Sequence, residues 1–104
     1  MGRLEGKLAL VTGAARGIGA GIARRFTEEG ARVVINDLEL GPAEKTAREL
    51  GGEAIAADVS DPKAVTEMFR QVADRHARLD ILVNNAGISG IGDDPELVAR
   101  FRER

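Results

Sequence analysis

Short apolar runs alternate along this chain with longer stretches in which apolar side chains recur at helical spacing. Lys7 to Thr12 (KLALVT) is a run that ends at Gly13, the pattern of a strand buried on both faces. From Gly17 the period changes. Ile18, Ile22, Ala23 and Phe26 share one helical face, Arg24, Arg25, Glu28 and Glu29 lie opposite, and Gly30 is placed to stop the helix. Arg32 to Asn36 (RVVIN) is rich in β-branched residues and predicts a second strand. Pro42 sits near the first turn of a second helix that carries Ala43, Ala47 and Leu50 and stops at Gly51-Gly52. Ala54 to Ala57 predicts a third strand. Asp61 followed by Pro62 reads as an N-cap with proline at the first helical position. Behind it, Met68, Phe69, Val72, Ala73 and His76 follow Val65 at spacings of 3, 4, 7, 8 and 11. Asp80 to Val83 predicts a fourth strand, and a last helix is expected after Asp94-Pro95, with Leu97, Val98 and Phe101 on one side.

The order is βαβαβαβ with a terminal helix, one domain over residues 1–104. Right-handed crossovers turn that order into an α/β fold: a Rossmann-like open parallel sheet, strand order 3-2-1-4, with helices on both faces. Ligands of such sheets bind at the carboxyl ends of the strands, beside the switch point between strands 1 and 4. The expected site therefore gathers Gly13 to Gly19, Asp37, Asp58 and Asn84 to Gly87.

Composition narrows the chemistry. Hydrophobic residues make up 43% and charged residues 31%, which excludes a disordered or membrane-spanning composition. Net charge is −2 with the basic residues scattered, so neither nucleic acid nor an anionic membrane is the expected partner. Cysteine is absent, which removes disulfides and thiolate metal sites, and no apolar leader follows Met1. A soluble cytoplasmic protein without a metal site is the expectation. The acidic pair Asp93-Asp94 reads as a loop with a helix cap rather than as metal ligands.

Thr12-Gly13-Ala14-Ala15-Arg16-Gly17-Ile18-Gly19 falls where the first strand turns into the first helix. Gly13 permits the turn, Gly17 lets backbone approach a pyrophosphate, and Gly19 lets the helix sit close to the sheet. The first-turn N–H groups and the helix dipole would face the phosphates. The spacing is not that of a P-loop, and no lysine lies in the loop. Asp37, at the end of the second strand, is placed to accept from the adenosine ribose hydroxyls of NAD and to repel the 2′-phosphate of NADP. Arg16 pulls the other way, since a guanidinium is able to pair with that phosphate. NAD is the expected preference. Asp58 and Val59 fall where an adenine would lie, although Asp58 reads equally well as a helix cap. Asn84-Asn85-Ala86-Gly87 offers small residues for a passing ribose and amides able to tie strand ends together. His76, on the apolar face near a helix end, suits packing or a dipole contact better than catalysis.

TGAARGIG, an acidic residue closing the second strand, the Asp58-Val59 pair and NNAG occur in this order. Together they resemble the short-chain dehydrogenase/reductase family, over residues 4 to about 90. The resemblance implies an NAD site lined by Gly13, Arg16, Ile18, Asp37, Asp58, Val59, Asn85, Ala86 and Gly87, with Gly17 and Gly19 shaping its loop. It also implies a longer chain, in which strands 5 to 7 complete the sheet and a serine, a Tyr-x-x-x-Lys pair and an asparagine perform the chemistry. Here there is no tyrosine, and the lysines are Lys7, Lys45 and Lys63. Ser60 and Ser89 are not positioned as substitutes. The expectation is a fold truncated before strands 5 to 7, a dinucleotide-binding module with no catalytic residue of its own; the alternatives are one part of an NAD-dependent oxidoreductase completed by another chain, and an oligomerising structural fragment without measurable cofactor binding. An apolar fourth strand left at the sheet edge invites pairing, so a homo-oligomer through that strand or the last helix is expected.

Overall fold

The computed structural model describes residues 2–86, so the expected last helix, Gly87 and Asp93-Asp94 lie outside the described residues. The elements run β1 (Leu8–Val11), α1 (Gly17–Glu28), β2 (Arg32–Asp37), α2 (Leu40–Leu50), β3 (Glu53–Ala56), α3 (Pro62–Arg75) and β4 (Ile81–Val83). All three strand pairings are parallel and the order is β3-β2-β1-β4. Leu10 stands level with Val34 on one side and Leu82 on the other, and Ile35 with Ala54.

Strand alternation sorts the core into two layers. Ala9, Val11, Val33 and Ile35 face α1 and α2, meeting Ala23, Ala43 and Ala47 with Ile22, Phe26 and Leu50 at the margin. Leu8, Leu10, Val34 and Ile55 face α3, meeting Met68 and Val72. Because β1 and β2 are covered on both sides, their sequences read as continuous apolar runs. Each large side chain buried there, such as Leu10, Ile35 or Met68, contributes about 1.5–3 kcal/mol.

The helix ends form as their residues dictate. Gly30, at φ 93°, donates to Thr27 O while Ala31 N donates to Phe26 O, the Schellman pair that closes α1. Gly51 closes α2 in the left-handed region at φ 69°. Asp61 caps α3 by accepting from Lys63 N at 3.0 Å. At the amino end of the sheet, Asp80 Oδ2 accepts from Leu8 N at 2.8 Å and its Oδ1 meets Arg78 Nε at 3.1 Å. The Leu8 amide is the main cause that holds the Asp80 carboxyl below its usual pKa, assisted by Arg78. No helix among the described residues is long and apolar enough to cross a membrane.

Candidate functional site

The turn from β1 into α1 is held by bonds that all come from outside it. Thr12 is buried; its hydroxyl donates to Val83 O and accepts from both Asn85 N and Ala86 N at 3.0 Å. Asn85 Nδ2 donates to Gly13 O at 3.0 Å, so the end of β4 and the glycine turn are one unit. Gly13, at φ 61°, lies so near Ala86 that a Cβ there would come within 2.8 Å of its Cα. Ala14 N donates to Asn36 O, and Ala15 N to the Asp37 carboxylate at 3.0 Å. Ala15 O accepts from the Thr46 hydroxyl of α2 at 2.6 Å.

What this bracing presents is an open helix start. The N-cap residue of α1, Arg16, is extended and places no side-chain bond on the first turn. Gly17 has φ 66°, and a Cβ there would have nothing within 4 Å, so the space above it is open. The unpaired first-turn N–H groups and the helix dipole make this a setting for an anion.

A cleft of about 800 Å³ opens there, at the carboxyl ends of the strands. Gly13, Arg16, Gly17, Ile18, Asp37, Asp58, Val59, Asn85 and Ala86 all line it, so the structure brings together nine of the residues expected from sequence. Gly19 does not line it. It is buried behind the loop, where a Cβ would meet Gly13 O, Asn85 Nδ2 at 2.5 Å and Ala14 Cα at 2.9 Å. Its role is close packing of helix on turn. Gly87 lies outside the described residues. Asn84 is exposed, so of the two amides Asn85 alone ties strand ends.

Five lining residues escape the pattern reading: Asn36, Leu38, Glu39, Ala57 and Ser60. Leu38 is 66% exposed and Ile18 71%, two large apolar side chains held in water at the mouth. Asp58 is exposed, and its Oδ1 accepts from Ser60 Oγ at 2.6 Å and Ser60 N at 2.9 Å. The Ser60 hydroxyl, then its amide, hold the Asp58 carboxyl below its usual value. Asp58 therefore builds a local turn, and the cap of α3 belongs to Asp61. Asn36 Oδ1 is buried without a partner among the described residues, a condition that costs about 1–3 kcal/mol.

A second hollow, about 420 Å³, lies at the opposite, amino end of the strands among Lys7, Arg32, His76, Arg78 and Asp80. Within it Arg78 pairs with Asp80, which also accepts from Leu8 N. His76 caps the end of α3 and its Nε2 is hydrogen-bonded to Glu53, which Arg75 approaches at 3.5 Å, so a polar partner on β3 holds the ring. No group of acidic or histidine side chains among the described residues is arranged to hold a metal.

A parallel sheet ordered 3-2-1-4, a glycine turn leading into an open helix start, and a carboxylate closing β2 define a Rossmann-like nucleotide fold. Within that class the match is specific. The chain belongs to the short chain dehydrogenase family, whose model matches residues 7–101. It is 46% identical over 98 residues to oxidoreductase UcpA of Escherichia coli, across 88% of this chain and 36% of that protein. The Pseudomonas aeruginosa RhlG/NADP active-site complex is similar at TM-score 0.77 and 44% identity, over 81% of this chain and 36% of that one. The 3-ketoacyl-(acyl-carrier-protein) reductase from Brucella melitensis, complexed with NADH, is similar at TM-score 0.72 and 42% identity, over 76% and 33%. The chain thus spans about a third of the length of the relatives it matches.

Proposed function

We propose that these 104 residues form the adenosine and pyrophosphate half of a nicotinamide-dinucleotide site, prefer NAD(H) to NADP(H), and have no turnover by themselves. The observation that carries this reading is the juxtaposition in one cleft of the open α1 start and the Asp37 carboxylate. The cleft fits the group: Gly17 leaves open the space a phosphate needs, and the cleft is large enough for a nucleotide. The first turn of α1 would hold the pyrophosphate, Asp37 the adenosine ribose, Asp58 and Val59 the adenine, and Asn85, Ala86 and Gly87 the passing nicotinamide ribose. Hydride transfer is the chemistry the nicotinamide supplies when bound. The family's tyrosine does not come from these residues, which contain none.

Asp37 Oδ1 accepts from Leu38 N and Oδ2 from Ala15 N. Each oxygen keeps a lone pair for a ribose hydroxyl, while a 2′-phosphate would meet a fixed negative charge. Relatives of this fold carry either cofactor, NADP in one and NADH in the other, so discrimination rests on this chain's own residues. Arg16 is exposed and tied to nothing in the loop, a weaker influence than the anchored carboxylate.

Calorimetric titration with NADH and with NADPH, repeated on Asp37→Ala, tests the reading. Saturable NADH binding with Kd in the high micromolar to millimolar range, about −4 to −6 kcal/mol, is expected. NADPH binds more weakly, and the difference disappears in the variant. Absence of heat with both cofactors at millimolar concentration would overturn the assignment.

One observation favours a second reading, in which another chain completes the enzyme or a second copy covers the edge. Among the described residues no strand pairs with the outer side of β4, and Leu82 there is 42% exposed. Under this reading the chain self-associates in sedimentation at high concentration, and Leu82→Lys returns it to monomer. A monodisperse monomer at every concentration would remove the second-copy form of that reading. A cytoplasmic setting belongs to the same proposal and accords with the absence of cysteine.

A further inference from the structure

Every buried residue that β1, β2 and β3 turn toward α3 is apolar except one. Leu8, Leu10, Val34 and Ile55 make that layer with Met68 and Val72, and Asn36 continues the same face of β2 at 1% exposure. Packing alone calls for a leucine there. The carboxamide instead reaches across to β3: Nδ2 donates to Ile55 O at 3.0 Å and to Ala57 O at 3.3 Å. Ala57 N meanwhile donates to Asp37 O at 3.0 Å. The chain is thus gripped on both sides of Ala56, where β3 ends and the Ala57–Ser60 wall of the cleft begins. The grip leaves Oδ1 without a donor, and turning the amide over would set its oxygen against two carbonyls.

We infer that Asn36 is the positioning residue for adenine recognition: by clamping Ile55 O and Ala57 O it fixes the wall that presents Asp58 and Val59 to the base. The inference rests on the dinucleotide reading above and adds to it a residue that need not touch the ligand. A purely structural asparagine would support all parts of the cleft alike. A positioning asparagine acts on the base and leaves the ribose selectivity of Asp37 alone, because Asp37 is anchored separately through Ala15 N and Leu38 N.

The experiment measures three affinities on the whole chain: NADH, NADPH, and the reduced hypoxanthine dinucleotide, in which a carbonyl replaces the adenine amine. The wild type should prefer NADH to the hypoxanthine analogue by about fivefold or more, the worth of one hydrogen bond. Asn36→Leu and Asn36→Ser should bring that preference below about twofold with the NADH-to-NADPH ratio unchanged. An unchanged base preference in either folded variant, or a parallel loss of both ratios, would overturn the inference. Failure of the wild type to bind any of the three at millimolar concentration would overturn the dinucleotide reading and this inference with it. Should neither variant fold, the wild type still decides. The side-chain amide resonances of Asn36 should shift on titration with AMP and stay in place with nicotinamide mononucleotide, and no shift with AMP would sink the idea.

Discussion

Two helices begin at the carboxyl edge of this sheet on opposite terms. At the start of α3, Asp61 accepts from Lys63 N and Pro62 has no N–H to satisfy, so the turn is closed by its own residues. At the start of α1, Arg16 supplies no cap, Gly17 takes a left-handed conformation with open space above it, and no acidic side chain stands in the first turn. The chain spends its polar groups there on bracing the loop from below, through Thr12, Asn36, Asp37, Thr46 and Asn85. The donors on top are left open. The start of α2 is uncapped as well, but there Glu39 sets a carboxylate beside the turn, a poor setting for phosphate. The difference locates the site: a binding surface lies where a well-braced segment leaves its own donors unanswered.

The strongest way to break this contrast is to remove the bracing. Gly19→Val would drive a side chain into Gly13 and Asn85, and overpacking of this kind costs about 3 kcal/mol. For a domain of this size the melting temperature should fall by about 12 °C or more, followed by circular dichroism. Gly21→Ala, one turn-face away in α1 and with nothing near its added Cβ, is the control. It should stabilise by about 0.5–1 kcal/mol because helical alanine replaces exposed glycine. Equal losses in the two variants would mean that α1 does not approach the turn as described.

The sharper comparison sets Gly17→Ala against Asp61→Ala. Both should destabilise by about 1 kcal/mol, the first through its positive φ and the second through the lost cap. NADH affinity should separate them. Gly17→Ala puts a methyl group into the cleft and should weaken binding about tenfold, whereas Asp61→Ala should leave Kd unchanged. Matching effects on NADH would erase the distinction between the two helix starts.

Much of this was legible before the fold was known, and particular residues show why. Periodicity placed all four strands and three helices, because strands buried on both faces read as apolar runs and the Val65 to His76 stripe is helical. Boundaries moved slightly: β2 reaches Asp37, β3 starts at Glu53, and α2 begins at Leu40, which puts Pro42 inside its first turn. The site's outline was legible from the glycine turn and the switch point. Its bracing was not. Ala15 reaches Asp37 across 22 positions, and His76 meets Glu53 across 23, pairs that no local pattern encodes. Asn84 and Asn85 are indistinguishable as letters, and only their placement after β4 turns one inward. Asn36 did leave a trace, as the polar residue that breaks the apolar run Val33-Val34-Ile35 one position before the closing Asp37.

The smallest expected effect lies at the far end of the sheet and checks that the two ends are independent. Asp80 ties the start of β4 to Leu8 N, and its folded-state carboxyl is held below the usual 3.8. A depressed carboxyl stabilises the fold at every pH above its unfolded value, and that share is lost as pH falls through the lower folded value. Acid should therefore weaken the chain from about pH 4 downward. Asp80→Asn keeps an acceptor oxygen for Leu8 N but cannot titrate, so the variant should be slightly less stable at pH 7 and lose less on acidification. Urea midpoints at pH 7 and pH 3 give the comparison, with NADH affinity at pH 7 unchanged. An identical acid response in the two proteins would place the titrating group elsewhere. Asp58, depressed by Ser60 at the cleft, is the next carboxyl to test by the same pair of midpoints.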